Sequence, residues 1–149
     1  MTQRLDYSSA SPAGMKALGG LYGYVSQSGL PGQLIDLVFL RASQINGCAY
    51  CIDSHSRDLL KSGLPVEKLV LVPAWHEAGA LFTAREQAAL RWTETLLKVA
   101  QTHVPEEEFA AARAEFSEKE LTDLTIAVGL INAYNFIGVG FRPTPAAAK

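Results

Sequence analysis

"LIDLVFLRASQINGCAYCIDSHSRDLLKSG", residues 34–63, reads as two helices joined at Asn46-Gly47. Leu34, Leu37, Val38 and Arg41 fall at helical spacing and predict a helix over 33–45, which the Asn-Gly pair ends. The next helix begins around Cys48 and reaches Ser62, where Gly63 supplies a left-handed terminus and Pro65 blocks continuation. The chain outside this stretch follows the same grammar. Ser11-Pro12 reads as an N-cap with a first-turn proline, opening a helix to about Ser28. A short helical piece at 66–72 precedes "PAWHEAGALF" (73–82), which reads as a loop. Thr83 with Glu86 forms a capping box for a helix to about Lys98, and Ser117 with Glu120 forms another. Between them Pro105 sits in a first turn beside Glu106, Glu107 and Glu108, whose charges suit the positive end of a helix dipole. No hairpin turn between alternating runs is found, so the expected fold is all-α.

With 149 residues, the chain has room for one domain, spanning 1–149, with "RPTPAAAK" (142–149) expected as a flexible tail or arm. Apolar residues make up 48% and charged residues 19%, the balance of a globular protein with a large core. The net charge is −2 and Lys and Arg are scattered singly, which excludes a basic stripe for nucleic acid. The most apolar run, "LTIAVGLINAYNFIGVGF" (124–141), is broken by two asparagines and three glycines. It falls short of the ~20 predominantly apolar residues of a membrane span and reads as a helix buried on most sides. The N-terminus shows no apolar signal region, so the expected location is cytoplasmic.

Cys48 and Cys51 are the only cysteines, and a cytoplasmic C-x-x-C points to redox chemistry or metal binding rather than a structural bridge. On a helix at ~100° per residue, Cys51 lies about 60° and His55 about 20° from Cys48, so the three share one face. Residues three apart have Cα atoms ~5 Å apart, close enough for a disulfide. A helix N-terminus and a nearby imidazolium favour the reactive thiolate, and His55 can carry a proton near neutral pH. Asp36, twelve residues before Cys48, reaches the same place if the two helices form an antiparallel pair. Two other readings remain open: Cys48, Cys51, His55 and Asp36 are acceptable zinc ligands, and buried cysteines often only pack. Against zinc, the chain has no second C-x-x-C or H-x-x-x-H segment.

These residues resemble the AhpD-like alkylhydroperoxidase family of the carboxymuconolactone decarboxylase superfamily. The likeness centres on 34–63 and continues through "FTAREQAALRWTETL", "HVPEEEF", "FSEKELTDLT" and "INAYNF". The resemblance implies an AhpD-like helical bundle, a homotrimer or homohexamer, and thiol-dependent reduction of hydroperoxides with no resident cofactor or metal. It implies that Cys51 is the peroxidatic thiolate, that Cys48 resolves it as a disulfide, and that His55 and Asp36 relay protons. The reductant it implies is a dithiol, such as a lipoylated protein. Two positions depart from the family pattern: Asp36 stands where glutamate is usual, and Tyr50 where the best-studied branch has histidine. Two alternatives are a redox-responsive or metal-binding module without catalysis, and a carboxymuconolactone decarboxylase-like enzyme.

Trp75, His76 and Glu77 are candidates to border a site because they sit in the expected loop. His103 reads as solvent-facing or capping. Asn132 and Asn135 read as buried amides satisfied by backbone or another subunit, Trp92 as core, and Tyr22 and Tyr24 as packing for the first helix.

Overall fold

A computed structural model describes residues 2–149. Its helices are α1 (Tyr7–Ala10), α2 (Pro12–Ser26), α3 (Gly32–Asn46), α4 (Ala49–Lys61), α5 (Val66–Leu71), α6 (Ala84–Leu97), α7 (Val99–Thr102), α8 (Glu106–Glu115) and α9 (Glu118–Phe141). The expected all-α class is the one observed, and no strand occurs among the described residues. Helix ends follow local chemistry. Both capping boxes form: Thr83 and Ser117 accept from the backbone N–H of Glu86 and Glu120, whose carboxylates accept in return. Gly47 and Gly63 take the left-handed conformation that ends α3 and α4, with φ of +70° and +89°. Pro105 differs from the first-turn placement, standing as the N-cap of α8.

The centre of the bundle is α3, which is buried on two sides. Ile35, Val38, Phe39 and Ala42 enter a core shared with α2, α6 and α9, while Leu37 and Leu40 enter a second core with Leu59 of α4 and Phe82. The polar positions of α3 fall between these faces. Arg41 donates to Glu94 of α6 at 2.7 Å, and Asp36 turns toward α4.

The segment 73–82 is more ordered than a loop: it forms 3-10 turns at Val72–Glu77 and Gly79–Leu81. Helix α9 is long and apolar enough, by length and composition, to cross a membrane. Its inner face instead packs through Leu124, Val128 and Ile131, and its polar Asp123 and Asn135 are buried inside the bundle. The expectation that α9 is buried on most sides is corrected. Phe136 is 68% exposed and Val139 and Gly129 are exposed too, because α9 lies on the rim of the bundle with one face uncovered.

The chain termini meet beside α4. Arg4 donates its backbone N–H to Phe141, Tyr7 stacks on the Phe141 ring, and the backbone N–H of Ala147 donates to Asp53.

Candidate active site

The turn between α3 and α4 sets the geometry. Gly47 reverses the chain, and Cys48 takes an extended conformation and caps α4 rather than lying within it. Its Sγ accepts the backbone N–H of Cys51 at 3.4 Å. The helical angle expected for Cys48 therefore does not apply, yet the pair remains close: Cα atoms lie 5.3 Å apart and the sulfurs form a disulfide. In this state neither sulfur is a free metal ligand, so the foreseen set of two cysteines, His55 and Asp36 is not assembled.

From Cys51 onward, α4 presents Cys51, Ser54, His55 and Asp58 at helical spacing to a cleft of about 330 Å³. The two sulfurs are unequal. Both are buried, but Cys51, 6% exposed, lines the cleft, whereas Cys48 is 1% exposed and does not. Gly138 of α9 lines the cleft against both sulfurs: a Cβ built there would collide with Cys48 Sγ and approach Cys51 Sγ to 3.4 Å. No pattern in "FIGVGF" distinguishes Gly138 from its neighbour Gly140, so spacing alone could not find it.

His55 is buried, with its ring tilted against Phe39 at 5.0 Å between centroids. Its Nδ1 lies 3.4 Å from Asp36 Oδ1, an ion pair only when the imidazole carries a second proton, and Nδ1 makes no hydrogen bond among the described residues. The antiparallel pairing anticipated for Asp36 and His55 is thus present. Asp58, one turn beyond His55, was not anticipated; Asp36, His55 and Asp58 offer ligand atoms within 4.8 Å of one another. That cluster is the donor set best suited to a cation here. A carboxylate, a buried imidazole and a second carboxylate also suit proton transfer.

Behind Cys48, Asn46 donates to Asn132 and Asn135 at 2.9 and 3.0 Å, and Asn135 donates to Ser43. Both amides of α9 bond to side chains of α3 rather than to backbone, and they fix the end of α3 to α9 beside the dithiol. Four tyrosines, Tyr7, Tyr22, Tyr50 and Tyr134, surround the cleft. Tyr22 therefore belongs to the site rather than to packing alone, while Tyr24 donates its hydroxyl to Asp123 at 2.7 Å.

Trp75 does not border the cleft: its Nε1 donates to Glu94 and its ring packs on the second core. His76 and Glu77 are exposed beside each other. His103 is exposed in a left-handed C-cap conformation, and Trp92 is core with its Nε1 on Thr125.

A model of the carboxymuconolactone decarboxylase family matches residues 12–95. The uncharacterized protein YdfG of Bacillus subtilis (strain 168) is 32% identical over 139 residues, 93% of this chain and 94% of its own. A crystal structure of a protein of unknown function from Agrobacterium tumefaciens, suggested to be the antioxidant defence protein AhpD, is 40% identical with a TM-score of 0.93. That match covers 97% of this chain and 98% of the other. The debrominase Bmp8 shares the fold at a TM-score of 0.79 and 18% identity, over 94% of this chain and 75% of its own.

Proposed function

Because the chain belongs to the carboxymuconolactone decarboxylase family and carries its Cys48–Cys51 disulfide on the wall of an open cleft, we propose that it is a thiol-dependent hydroperoxidase. The unequal placement of the two sulfurs is the observation that carries the reading. Cys51, although only 6% exposed, lines the cleft, and Cys48, 1% exposed, does not line it and is joined to Cys51 by the disulfide.

In the reduced protein, the Cys51 thiolate at the positive end of α4 attacks a hydroperoxide oxygen. An S–O bond forms and the O–O bond breaks, and the departing alkoxide takes a proton and leaves as alcohol. Cys51 is oxidised to the sulfenic acid and the hydroperoxide is reduced. Cys48 then attacks the Cys51 sulfur: the S–S bond forms, the S–O bond breaks, and water leaves with the Cys48 proton. An external dithiol, such as a lipoylated protein, returns two electrons and two protons by exchange through a mixed disulfide. His55 carries the proton at the cleft, and the Asp36 carboxylate 3.4 Å from Nδ1 stabilises the ring while it is protonated.

Two features of the setting accompany this reading. A reducing cytoplasm suits a disulfide that must be reopened in every cycle. Assembly into a homotrimer or homohexamer would cover the bare face of α9 around Phe136 and Val139.

Steady-state turnover of tert-butyl hydroperoxide with dihydrolipoamide tests the proposal. Turnover that vanishes in both Cys51→Ser and Cys48→Ser is expected. Turnover that persists in Cys51→Ser, or its complete absence in the parent chain, would exclude the dithiol cycle. Metal bound at one equivalent after gentle purification would favour the metal-binding alternative.

A further inference from the structure

The cleft beside Cys51 carries more aromatic surface than the proton relay requires. Tyr7 from α1, Tyr22 from α2, Tyr50 from α4 and Tyr134 from α9 converge on it from four different helices. Ile131 and Ile137 add aliphatic wall, and the polar groups gather at the α4 end with Ser54, His55 and Asp58. The volume, about 330 Å³, lies in the range of a small-molecule site. A peroxide with no organic part would leave those rings without a contact, whereas a flat ring would meet their faces and edges.

We propose that this cleft binds the aromatic part of a small aryl ligand, held among Tyr7, Tyr22 and Tyr134 with its reacting end directed to Cys51. Resting on the hydroperoxidase reading, the substrate class is an aryl-substituted hydroperoxide rather than a short alkyl one. The phenol groups serve as neutral donors as well as surface. Partial burial raises the pKa of Tyr7, Tyr22 and Tyr134, and the carboxylates of Asp36 and Asp58 add to the rise at Tyr22. Protonated hydroxyls can thus donate to a peroxide or alcohol oxygen at neutral pH. Tyr50 lines the same cleft with a ring that stays partly open to solvent.

The test uses the oxidised protein and cumyl alcohol, the product expected from cumene hydroperoxide, with calorimetry or tyrosine fluorescence as the readout. Saturable binding of cumyl alcohol, at least about tenfold tighter than tert-butanol, is expected. Binding should weaken severalfold in Tyr22→Ala and Tyr134→Ala and persist in Tyr24→Phe. Equal, non-saturating responses to both alcohols would overturn the aryl site, even if the protein turns over peroxides. In turnover, kcat/KM should favour cumene hydroperoxide over tert-butyl hydroperoxide by about tenfold or more, and the ratio should collapse in Tyr134→Ala. A ratio near unity in the parent overturns the assigned substrate class. Cumyl alcohol binding without turnover of any peroxide supports the aryl site and removes the hydroperoxidase reading beneath it.

Discussion

Gly138 determines how closely α9 approaches the dithiol. In an open helical position, replacing glycine by alanine gains up to about 1 kcal/mol of helix propensity. Gly20 of α2 is such a position, with nothing within 4 Å of a built Cβ, so Gly20→Ala should raise the melting temperature. At Gly138 the same gain meets a collision with Cys48 Sγ, and overpacking costs about 1–3 kcal/mol. Gly138→Ala should therefore destabilise the oxidised protein in thermal unfolding, and it should slow turnover because the two sulfurs must move. That Cys51 and His55 share a face was legible from their spacing on α4, whereas Cys48 caps that helix and Asp36 arrives through the packing of α3 against α4. Gly138, Tyr7, Tyr22 and Tyr134 were not legible, because they meet the site only through the packing of separate helices, whereas Asp58 follows His55 by three residues on α4 and its spacing held the signal. His55→Ala should lower kcat by about a hundredfold or more if it moves the proton. Asp36→Asn should lower kcat more than it raises KM, because Asp36 stands behind His55 and does not line the cleft.

Helix boundaries were the most readable feature, since capping is a local contest among neighbouring groups. Thr83→Ala and Ser117→Ala each remove a side chain that accepts an otherwise unpaired helix N–H. Each should cost about 1 kcal/mol in denaturant unfolding, with the cleft unaffected. The faces of α9 were harder to read. Its composition is apolar all around, so hydropathy does not say which residues the bundle covers, and Phe136 looks no different in sequence from a core phenylalanine. Its amides were read as satisfied by backbone or another subunit, but their partners lie on α3. Asn135→Ala would leave the Asn46 and Ser43 groups short of a partner in a buried place, a loss of about 1–3 kcal/mol. Loosening the joint between α3 and α9 should also raise the rate of hydrogen exchange at the Cys48 turn.

For the molecule as a whole, acid sensitivity follows from Asp123, whose carboxyl is buried between Lys119 and Tyr24. The Lys119 hydrogen bond, with the Tyr24 hydroxyl, holds its pKa below the ordinary carboxylate value of about 4 despite the opposing effect of burial. A lowered folded-state pKa contributes stability that is complete above the unfolded value and is lost as pH falls through the folded one. Asp123→Asn should therefore flatten the loss of melting temperature below about pH 4 relative to the parent chain. If Phe136 lies between subunits, Phe136→Lys should lower the mass measured by light scattering; an unchanged mass would place the contact elsewhere. The most direct measurement for the dithiol cycle is a thiol titration of the anaerobically reduced protein before and after one equivalent of an alkyl hydroperoxide. The account predicts rapid loss of both thiols, no rapid reaction in Cys51→Ser, and a trapped sulfenic acid at Cys51 in Cys48→Ser. Thiols that survive at the rate of free cysteine would contradict it.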